Sequence, residues 1–310
     1  MRDHAHGFLP AFLCALLVFT VFVLLDTFVI VRKIETVDEP QALSEAVPET
    51  ATLSQLVAPA QESSAAEIVM TDNYYYDGNI SVAITEERVG NTTVYVADVV
   101  LSSADSLKTA FAQNAYGRNV TDTASSIAQS VGAVLAINGD FYGSQQAGYV
   151  IRNGVLYRST AKKDAEDLAI YADGSLGIIL EAQITAQELL KDGAIHVLSF
   201  GPALVENGEI AVSESEEVGR AKASNPRTAV AVIDALHYLF VVSDGRTSES
   251  EGLSLYELAA FLQSKDVRTA YNLDGGGSST MVFLGRVVNH PTANGKSIKE
   301  RSVSDIVYVG

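Results

Sequence analysis

Four polar segments of this sequence lie at the ends of apolar stretches with strand character, and they hold most of its side chains suited to chemistry. They cover residues 138–143, 225–228, 243–246 and 272–280. Protein scaffolds commonly display binding and catalytic groups in such positions. The segments supply carboxylates, arginines and a glycine-rich run, a combination suited to holding an anion beside acidic groups.

The glycine-rich segment carries the most specific of these signals. It places Gly275, Gly276 and Gly277 in a row and follows them with Ser278 and Ser279. Consecutive glycines cost chain entropy, so they are expected where backbone must approach a ligand and successive N–H groups form an anion-binding concavity. The run lacks the spacing of a nucleotide-binding P-loop and the final glycine of a hydrolase nucleophile elbow. An anion cradle is the favoured interpretation, and a flexible linker is the alternative.

Side chains at the other strand ends could complete such a site. Pro226 fixes the backbone before Arg227, whose fork of donors suits a phosphate, although a surface arginine at a strand start is the simpler interpretation. Asp140, Asp244 and Asp274 supply carboxylates, in segments whose Asn-Gly and Asp-Gly pairs are also ordinary turn signals. The same three carboxylates could bind Ca²⁺ or Mg²⁺, which prefer oxygen ligands, but their spacing matches no EF-hand loop.

The overall composition limits the classes of function. The 310 residues carry a formal net charge of −17, whereas nucleic-acid binding needs a basic surface. An anionic substrate would need a local group of arginines or lysines to overcome this field. The one cysteine, Cys14, excludes an intrachain disulfide framework and a cysteine-rich metal centre, and the five histidines form no HExxH pair. We therefore expect no nucleic-acid partner and no required cofactor.

The N-terminal part of the chain has the pattern of a membrane anchor followed by a linker. Residues 8–31 are nearly all apolar, with Asp26 the only charge, and at about 1.5 Å per residue they could cross a hydrocarbon layer of about 30 Å. A cleaved signal peptide is the alternative, but no clear cleavage site follows. The basic pair after the apolar run leaves the orientation open. The expected organisation is an uncleaved single-pass anchor over residues 1–33, a flexible acidic stalk over 34–73 and an extracytoplasmic catalytic domain over 74–310.

Local patterns predict many strands and few helices. Apolar residues spaced i, i+3, i+4, i+7 predict a helix over residues 121–131, and capping boxes beginning at Thr185 and Ser254 predict two more. Runs rich in β-branched residues predict strands over residues 80–84, 93–101, 133–137, 228–233, 238–242, 269–273, 280–284 and 305–309. We therefore expect an α+β domain with a largely antiparallel β-sheet core and a few inserted helices, preceded by one N-terminal transmembrane helix.

Taken in order, the four segments resemble the phosphodiester glycosidase family. The family pattern has Asn-Gly-x-Phe-Phe/Tyr, like residues 138–142, and Pro-Arg-Thr-Ala, like residues 226–229. It continues with Asp-Gly-Arg, like residues 244–246, and with Asp-Gly-Gly-Gly-Ser-Ser-Thr-Met, like residues 274–281, which is the most specific match. An arginine shortly before the last strand of the family corresponds to Arg301.

The resemblance covers residues 82–310 and departs from the family at Asp140, where many relatives have glycine. It implies an enzyme that hydrolyses the bond between the anomeric carbon of a sugar and a phosphodiester, in exported or cell-envelope glycans such as exopolysaccharide. Such a reaction requires that the phosphate is held, that positive charge at the anomeric carbon is stabilised, and that water is activated.

The resemblance also implies a role for each candidate residue. Asp244 and Asp274 are expected to supply the base and the electrostatic stabilisation, and Asn138 to orient the substrate. The residues expected to contact the phosphate or the substrate are Arg227, Gly275, Gly276, Gly277, Ser278, Ser279, Arg301 and Asp140. Two alternatives remain at this stage: a non-catalytic module that binds envelope polysaccharide, and another glycan hydrolase or transferase.

Overall fold

The computed structural model describes residues 8–28, 30–36, 68–215 and 224–310. In these residues the strands form a nine-stranded sheet, two five-stranded sheets and a two-stranded ribbon. All of the described strand pairs are antiparallel. Short turns between consecutive strands allow this arrangement, because parallel neighbours would need long crossover connections.

The elements are numbered along the chain. The strands are β1 (Arg32–Thr36), β2 (Val69–Met70), β3 (Tyr74–Tyr76), β4 (Ile80–Val89), β5 (Thr92–Leu101), β6 (Leu107–Phe111), β7 (Ala115–Arg118), β8 (Leu135–Asn138), β9 (Val150–Arg152), β10 (Val155–Arg158), β11 (Glu166–Tyr171), β12 (Leu176–Leu180), β13 (Ala194–Leu198), β14 (Ala203–Glu206), β15 (Glu209–Ile210), β16 (Arg227–Asp234), β17 (His237–Ser243), β18 (Thr269–Asn272), β19 (Met281–Phe283), β20 (Arg286–Val287) and β21 (Asp305–Val309). The helices are α1 (Phe8–Phe28), α2 (Ala124–Ser130), α3 (Ala186–Lys191) and α4 (Leu255–Gln263).

The main hydrophobic core lies between the nine-stranded sheet and the two five-stranded sheets. The nine-stranded sheet has the order β15-β14-β18-β16-β17-β5-β4-β3-β2, and the others have the orders β10-β9-β13-β11-β12 and β20-β19-β8-β21-β6. Phe240 and Tyr271 enter this core from the large sheet, and Leu168 and Ile137 from the two smaller ones. Since side chains alternate along a strand, the neighbours of these residues point to the outer faces.

Three short helices cover those outer faces. Leu258 of α4 packs on the nine-stranded sheet, Ile127 of α2 on the sheet that contains β8, and Leu189 of α3 on the sheet that contains β13. The predicted capping boxes at Thr185 and Ser254 are both formed, so the first N–H groups of α3 and α4 have side-chain acceptors. The sheets are therefore held between helices, and their strand ends remain available for a site.

The predicted α+β class and the largely antiparallel core are confirmed, although several boundaries differ. The helix predicted over residues 121–131 shortens to α2, because the Thr123 hydroxyl caps it by accepting the Ser126 N–H. The strand predicted over residues 80–84 continues to the end of β4. The strands β9 to β13 were missed, because most of them are only three to five residues long and show no clear alternation.

The predicted membrane-spanning helix is not supported, and neither is the membrane partner expected from it. The N-terminal helix α1 covers 21 residues, but among the described parts of the chain no helix is long and apolar enough to cross a membrane. The predicted stalk over residues 34–73 falls mainly on residues 37–67, which lie outside the described residues.

Two carboxyl groups are buried together beside β11. Asp167 is fully buried, and the Glu181 carboxylate accepts hydrogen bonds from the N–H groups of Tyr149 (2.7 Å) and Lys162. Burial and the neighbouring Glu181 raise the pKa of Asp167 to about 9. Asp167 is therefore a neutral acid at pH 7 in the folded protein, whereas it ionises in the unfolded chain.

Replacing Asp167 by asparagine is expected to remove a loss of stability at alkaline pH. Because the pKa is higher in the folded than in the unfolded state, the folded protein holds an extra proton, and its free energy of unfolding falls as pH rises toward 9. The loss is at most about 1.4 kcal/mol per pH unit. Urea unfolding at pH 7, 8 and 9 should show this decline in the wild type and a much flatter dependence in Asp167→Asn. The exposed Asp234→Asn should keep the wild-type slope, and equal slopes in both variants would contradict the assignment.

Candidate active site

Three of the four polar segments meet at one edge of the nine-stranded sheet. Arg227 begins β16 and pairs with Ser243 at the end of β17, and β16 lies between β17 and β18. Asp244 directly follows β17, and Asp274 comes two residues after β18. Antiparallel neighbours place the start of one strand beside the ends of the two next to it, so these segments are adjacent although they are distant in sequence.

The fourth segment reaches the same place from the facing sheet. Asn138 ends β8 and is fully buried. Its Oδ1 accepts hydrogen bonds from the Thr228 hydroxyl (2.8 Å) and the Thr280 N–H (3.2 Å), and its Nδ2 donates to the carbonyls of Asp274 (2.6 Å) and Gly139 (3.2 Å). These four bonds use the full capacity of an amide side chain. Asn138 therefore positions the Asp274 backbone, and the prediction that its side chain orients the substrate is corrected.

Asp274, Ser278 and Arg301 form one hydrogen-bonded unit. The Asp274 Oδ2 accepts hydrogen bonds from the Ser278 hydroxyl (2.6 Å) and from Nη2 of Arg301 (3.0 Å), and Arg301 Nε donates to the Ser278 oxygen (2.9 Å). The tight turn over Gly276–Ser278 brings the serine back onto the aspartate. Burial raises the pKa of Asp274, and the Arg301 guanidinium counteracts part of this rise. The unit thus joins a carboxylate and a guanidinium side by side.

Asp274 and Arg301 of this unit line a cavity of about 450 Å³, a size typical of small-ligand sites. Arg301 is 43% exposed at its side chain and Asp274 is 12% exposed, so both groups can be reached from the cavity. The remaining walls combine an exposed aromatic ring with hydroxyl and amide groups. The other lining residues are Val31, Asn119, Thr121, Phe141, Ser144, Ser302, Val303 and Ser304.

A second arginine approaches the glycine turn from the other side. Arg246 donates from Nη1 to the Ala293 carbonyl (2.7 Å), and its Nη2 lies 2.7 Å from where a Cβ on Gly276 would stand. Gly276 has a φ of +63°, so both the backbone and the arginine exclude a larger residue. The Arg301 Cδ lies 3.5 Å from where a Cβ on Gly277 would stand, so both arginines border the same turn. Burial and the positive charge of Arg301 lower the pKa of Arg246.

The glycine N–H groups do not all face a ligand as the sequence predicted. The Gly276 N–H donates to the Pro226 carbonyl (2.8 Å). The N–H groups of Gly275 and Gly277 donate to no acceptor within the described residues. Ser279 is fully buried and so does not reach the cavity. The Gly275 and Gly277 N–H groups and the guanidinium groups of Arg301 and Arg246 are therefore the donors at this turn that an anion could contact.

The structure does not place the Arg227 guanidinium in the cavity. Thr228 points toward Asn138, and strand alternation turns Arg227 to the opposite face of the sheet. There its Nε donates to the Leu253 carbonyl (2.8 Å), and its side chain is 3% exposed. The predicted contact of Arg227 with the phosphate is therefore not supported, and Arg301 and Arg246 are the arginines that border the glycine turn. The Asp-Gly-Arg motif contained Arg246, but the sequence did not show which way it points.

Asp140 is likewise turned into the protein. Its Oδ2 accepts hydrogen bonds from Arg152 (2.9 Å) and from the Ser199 N–H (2.9 Å), and Arg152 also binds Asp305 (2.8 Å). Arg152 is fully buried between the two carboxylates. Burial raises the pKa of Asp305 to about 7. The predicted contact of Asp140 with substrate is corrected, because its partner is Arg152, a residue that no sequence signal singled out.

Asp244, a predicted catalytic residue, pairs with a histidine that the sequence analysis did not identify. Its Oδ2 lies 3.1 Å from Nδ1 of His290, its Oδ1 accepts the His290 N–H (2.8 Å), and the Tyr95 hydroxyl lies 3.0 Å from the same Nδ1. No recognisable motif surrounds His290, so only the fold reveals this pair. Asp140 and Asp244 thus bind Arg152 and His290, and among the described residues no group of three or more His, Cys, Asp or Glu side chains could hold a metal ion.

Comparison with known proteins identifies the family that the chain resembles. The family model described as phosphodiester glycosidase matches residues 131–310, more than half of the chain. The chain is 30% identical over 187 residues to mouse N-acetylglucosamine-1-phosphodiester alpha-N-acetylglucosaminidase, covering 55% of this chain and 35% of that protein. It is 26% identical over 180 residues to the SPbeta prophage-derived uncharacterized protein YomE of Bacillus subtilis strain 168, covering 56% and 28%. The chain thus spans about a third of the length of these relatives.

The fold also matches a solved structure. The zebrafish N-acetylglucosamine-1-phosphodiester alpha-N-acetylglucosaminidase catalytic domain, auto-inhibited by its pro-peptide, is similar with a TM-score of 0.59 and 22% sequence identity. The match covers 74% of this chain and 82% of the zebrafish one, and at this identity it shows the fold alone. From the matched family model over residues 131–310, the chain belongs to the phosphodiester glycosidase family.

Proposed function

We propose that this domain hydrolyses sugar-1-phosphodiester bonds, releasing the free sugar and a phosphomonoester. The observation that carries the proposal is the Asp274–Ser278–Arg301 unit in the wall of the cavity. It offers a carboxylate for a cationic anomeric carbon directly beside a guanidinium for an anionic phosphate. These are the two charges that separate when the glycosidic bond breaks.

The phosphate is held, in this proposal, over the glycine turn. The Gly275 and Gly277 N–H groups point their dipoles at the anion, and Arg301 and Arg246 supply positive charge from two sides. The positive charge of Arg301 contributes to the lowered pKa of Arg246, and an anion between the two guanidinium groups would stabilise both charges. This local positive charge overcomes the field of the acidic chain for an anionic substrate.

The sugar occupies the cavity. The exposed Phe141 ring offers a flat apolar surface to a pyranose face, and Ser144 and Ser304 offer hydroxyl groups to its polar edge. Asp274 then stabilises the positive charge that develops at the anomeric carbon as water attacks and the carbon–oxygen electron pair moves to the phosphate. A phosphodiester is a good leaving group, so little assistance to departure is required.

The proposal is tested by incubating residues 68–310 with a panel of sugar-1-phosphodiesters and measuring free sugar and phosphomonoester. Hydrolysis yields both in equal amounts with water alone. A transferase would release sugar only when an acceptor is added. A polysaccharide-binding module would bind substrate without releasing any product, and this result would refute the proposed hydrolysis.

The natural substrate is proposed to be an exported or envelope glycan outside the cytoplasm. The chain's acidic surface and the cradle for a single anion suit a soluble or glycan-borne phosphodiester better than a nucleic acid. Digestion of intact and lysed cells by an external protease tests the location. In cells that have no outer barrier to the protease, a domain that is digested only after lysis would contradict the extracytoplasmic location.

We further propose that the N-terminal segment restricts entry to the cavity. β1 pairs with β7, Val31 lines the cavity, and the Asn119 side chain donates to the Ile30 carbonyl (3.3 Å). Deleting residues 1–36 should raise kcat/KM for a large phosphodiester several-fold, because one wall is removed, and should change kcat/KM for a small substrate less. An equal or lower kcat/KM for the large substrate would contradict this role.

A further inference from the structure

Glu300 directly precedes Arg301 in the chain and contacts helix α2. Its Oε1 accepts a hydrogen bond from the Ser125 N–H (3.0 Å), and its Oε2 accepts one from the Ser125 hydroxyl. Glu300 and Ser125 are both half-buried. Two neighbouring residues thus have different partners: Glu300 binds the helix, and Arg301 binds the Asp274 carboxylate (3.0 Å) in the cavity wall.

The contact satisfies a backbone donor of α2. Ser125 is the second residue of this helix, and the first N–H groups of a helix have no acceptor within it. Thr123 caps α2 by accepting the Ser126 N–H. The Glu300 carboxylate accepts the neighbouring Ser125 N–H and the hydroxyl of the same residue. The geometry of two donors on one residue therefore fixes the position of the carboxylate.

Helix α2 is a firm support for this contact. Its apolar face is buried in one cluster with Val303 and with side chains of β21. The Val303 N–H donates to the Asp122 carbonyl (2.7 Å), and the Asp122 N–H donates to the Val303 carbonyl (3.1 Å). Arg301 thus lies between two anchors, Glu300 before it and Val303 after it, and both are attached to residues 122–125.

The chain around Arg301 has little regular structure of its own. Within the described part of the protein, the stretch 288–304 between β20 and β21 contains no α-helix or strand. One backbone bond in this stretch joins the Lys299 N–H to the Pro291 carbonyl (2.7 Å). The Arg301 side chain is 43% exposed, and it can lie on Asp274 only while its backbone is in place. A loop with few backbone bonds depends on its anchors for such a fixed position.

We propose that Glu300 is a positioning residue, which holds Arg301 at the glycine turn for the phosphate through its contact with Ser125; this rests on the proposed function. The Glu300 carboxylate lies on α2 rather than in the cavity wall, so it does not touch the substrate. Its effect on the reaction passes through Arg301. The contact requires acceptor oxygens at the correct place, and the negative charge is secondary.

The position of Arg301 is tested first without any reaction, by crystal structures of the full chain of the wild type, Glu300→Ala and Glu188→Ala. Glu188 is a matched control, because it also accepts an N–H (2.9 Å) and a hydroxyl (2.7 Å), those of Thr185 at the start of α3. In Glu300→Ala alone, Arg301 Nη2 should leave hydrogen-bond range of Asp274 Oδ2. An unmoved guanidinium in Glu300→Ala would overturn the positioning role.

The consequence for catalysis is tested by kcat/KM for a sugar-1-phosphodiester. Glu300→Ala should lower kcat/KM about tenfold, because a displaced arginine meets the phosphate poorly. Glu300→Gln should restore most of the activity, since its amide oxygen can still accept the Ser125 N–H. Glu188→Ala should leave kcat/KM unchanged. A Glu300→Gln variant as slow as Glu300→Ala would contradict a geometrical role.

A double variant separates positioning from an independent structural effect. If Glu300 acts through Arg301, adding Glu300→Ala to Arg301→Gln should lower kcat/KM by less than about twofold. A tenfold loss in both backgrounds would overturn the proposal, because the two residues would then act independently. Absence of hydrolysis by the wild type would refute the proposed function, while the crystal structures would still decide whether Glu300 holds Arg301 in place.

Discussion

Asp274→Asn is expected to lower kcat/KM for a sugar-1-phosphodiester by about 1,000-fold, equivalent to about 4 kcal/mol of transition-state stabilisation. The asparagine oxygen can still accept the hydrogen bonds of Ser278 and Arg301, so the loop should keep its shape. What is lost is the negative charge beside the anomeric carbon, which matters only as positive charge develops there. The effect should therefore appear in kcat more than in KM.

A matched control separates this effect from general charge loss. Asp234 also pairs with an arginine, Arg268 (3.5 Å), but on the exposed surface at the other end of β16. Asp234→Asn should leave kcat/KM within about twofold, because exposed ion pairs contribute little. Near-normal turnover in Asp274→Asn, with an unchanged melting temperature, would remove Asp274 from the mechanism.

Arg301→Gln is expected to change both the size and the pH dependence of the activity. The phosphate loses one of its two guanidinium groups, which should lower kcat/KM by about 100-fold. In addition, Arg301 holds down the pKa of Asp274 against the effect of burial. Its removal raises that pKa, so Asp274 becomes ionised only at higher pH. The acid side of the kcat/KM profile should therefore move to higher pH.

The direction of this pH shift is the decisive measurement. Arg268→Gln, in the exposed pair with Asp234, should leave both the rate and the pH profile unchanged. Arg246→Gln should weaken phosphate binding but leave the acid side where it is, because Arg246 does not contact Asp274. An acid side that stays in place or moves to lower pH in Arg301→Gln would show that Asp274 is not the ionising group.

The sequence predicted a phosphate contact for Arg227, but it is the Arg246 guanidinium that lies over Gly276. Arg227 and Arg246 both flank strands that end at the site edge, and both belong to segments that resemble the family. Residue parity decides between them: Thr228 faces the core, so Arg227 faces away. Arg246 follows a turn after the strand, has a φ of +63°, and returns over Gly276. Such a difference depends on pairing and turn geometry rather than on composition.

The sequence by itself determined the features that depend on neighbouring residues. These features are local, because they act through the chain's own dihedral preferences. They include the period-two and period-3.6 patterns, the capping boxes at Thr185 and Ser254, and the consecutive glycines of the turn. These features were sufficient to predict the α+β class, the antiparallel core and the placement of Asp274 in a glycine-rich turn. The order of the four polar segments was sufficient to recognise the resemblance to the family.

Only the tertiary structure decided which side chains meet. Asp140, which follows β8, pairs with Arg152 at the end of β9 in a different sheet. Asp244 pairs with His290, 46 positions away in the sequence. A charged side chain that is buried at a strand end is costly unless a group of opposite charge pairs with it. The arrangement of the sheets determines which residue lies close enough to form that pair. Sheet register and loop packing determine these pairs between residues that are separated in the sequence. The pairs therefore leave no local pattern from which the sequence could predict them.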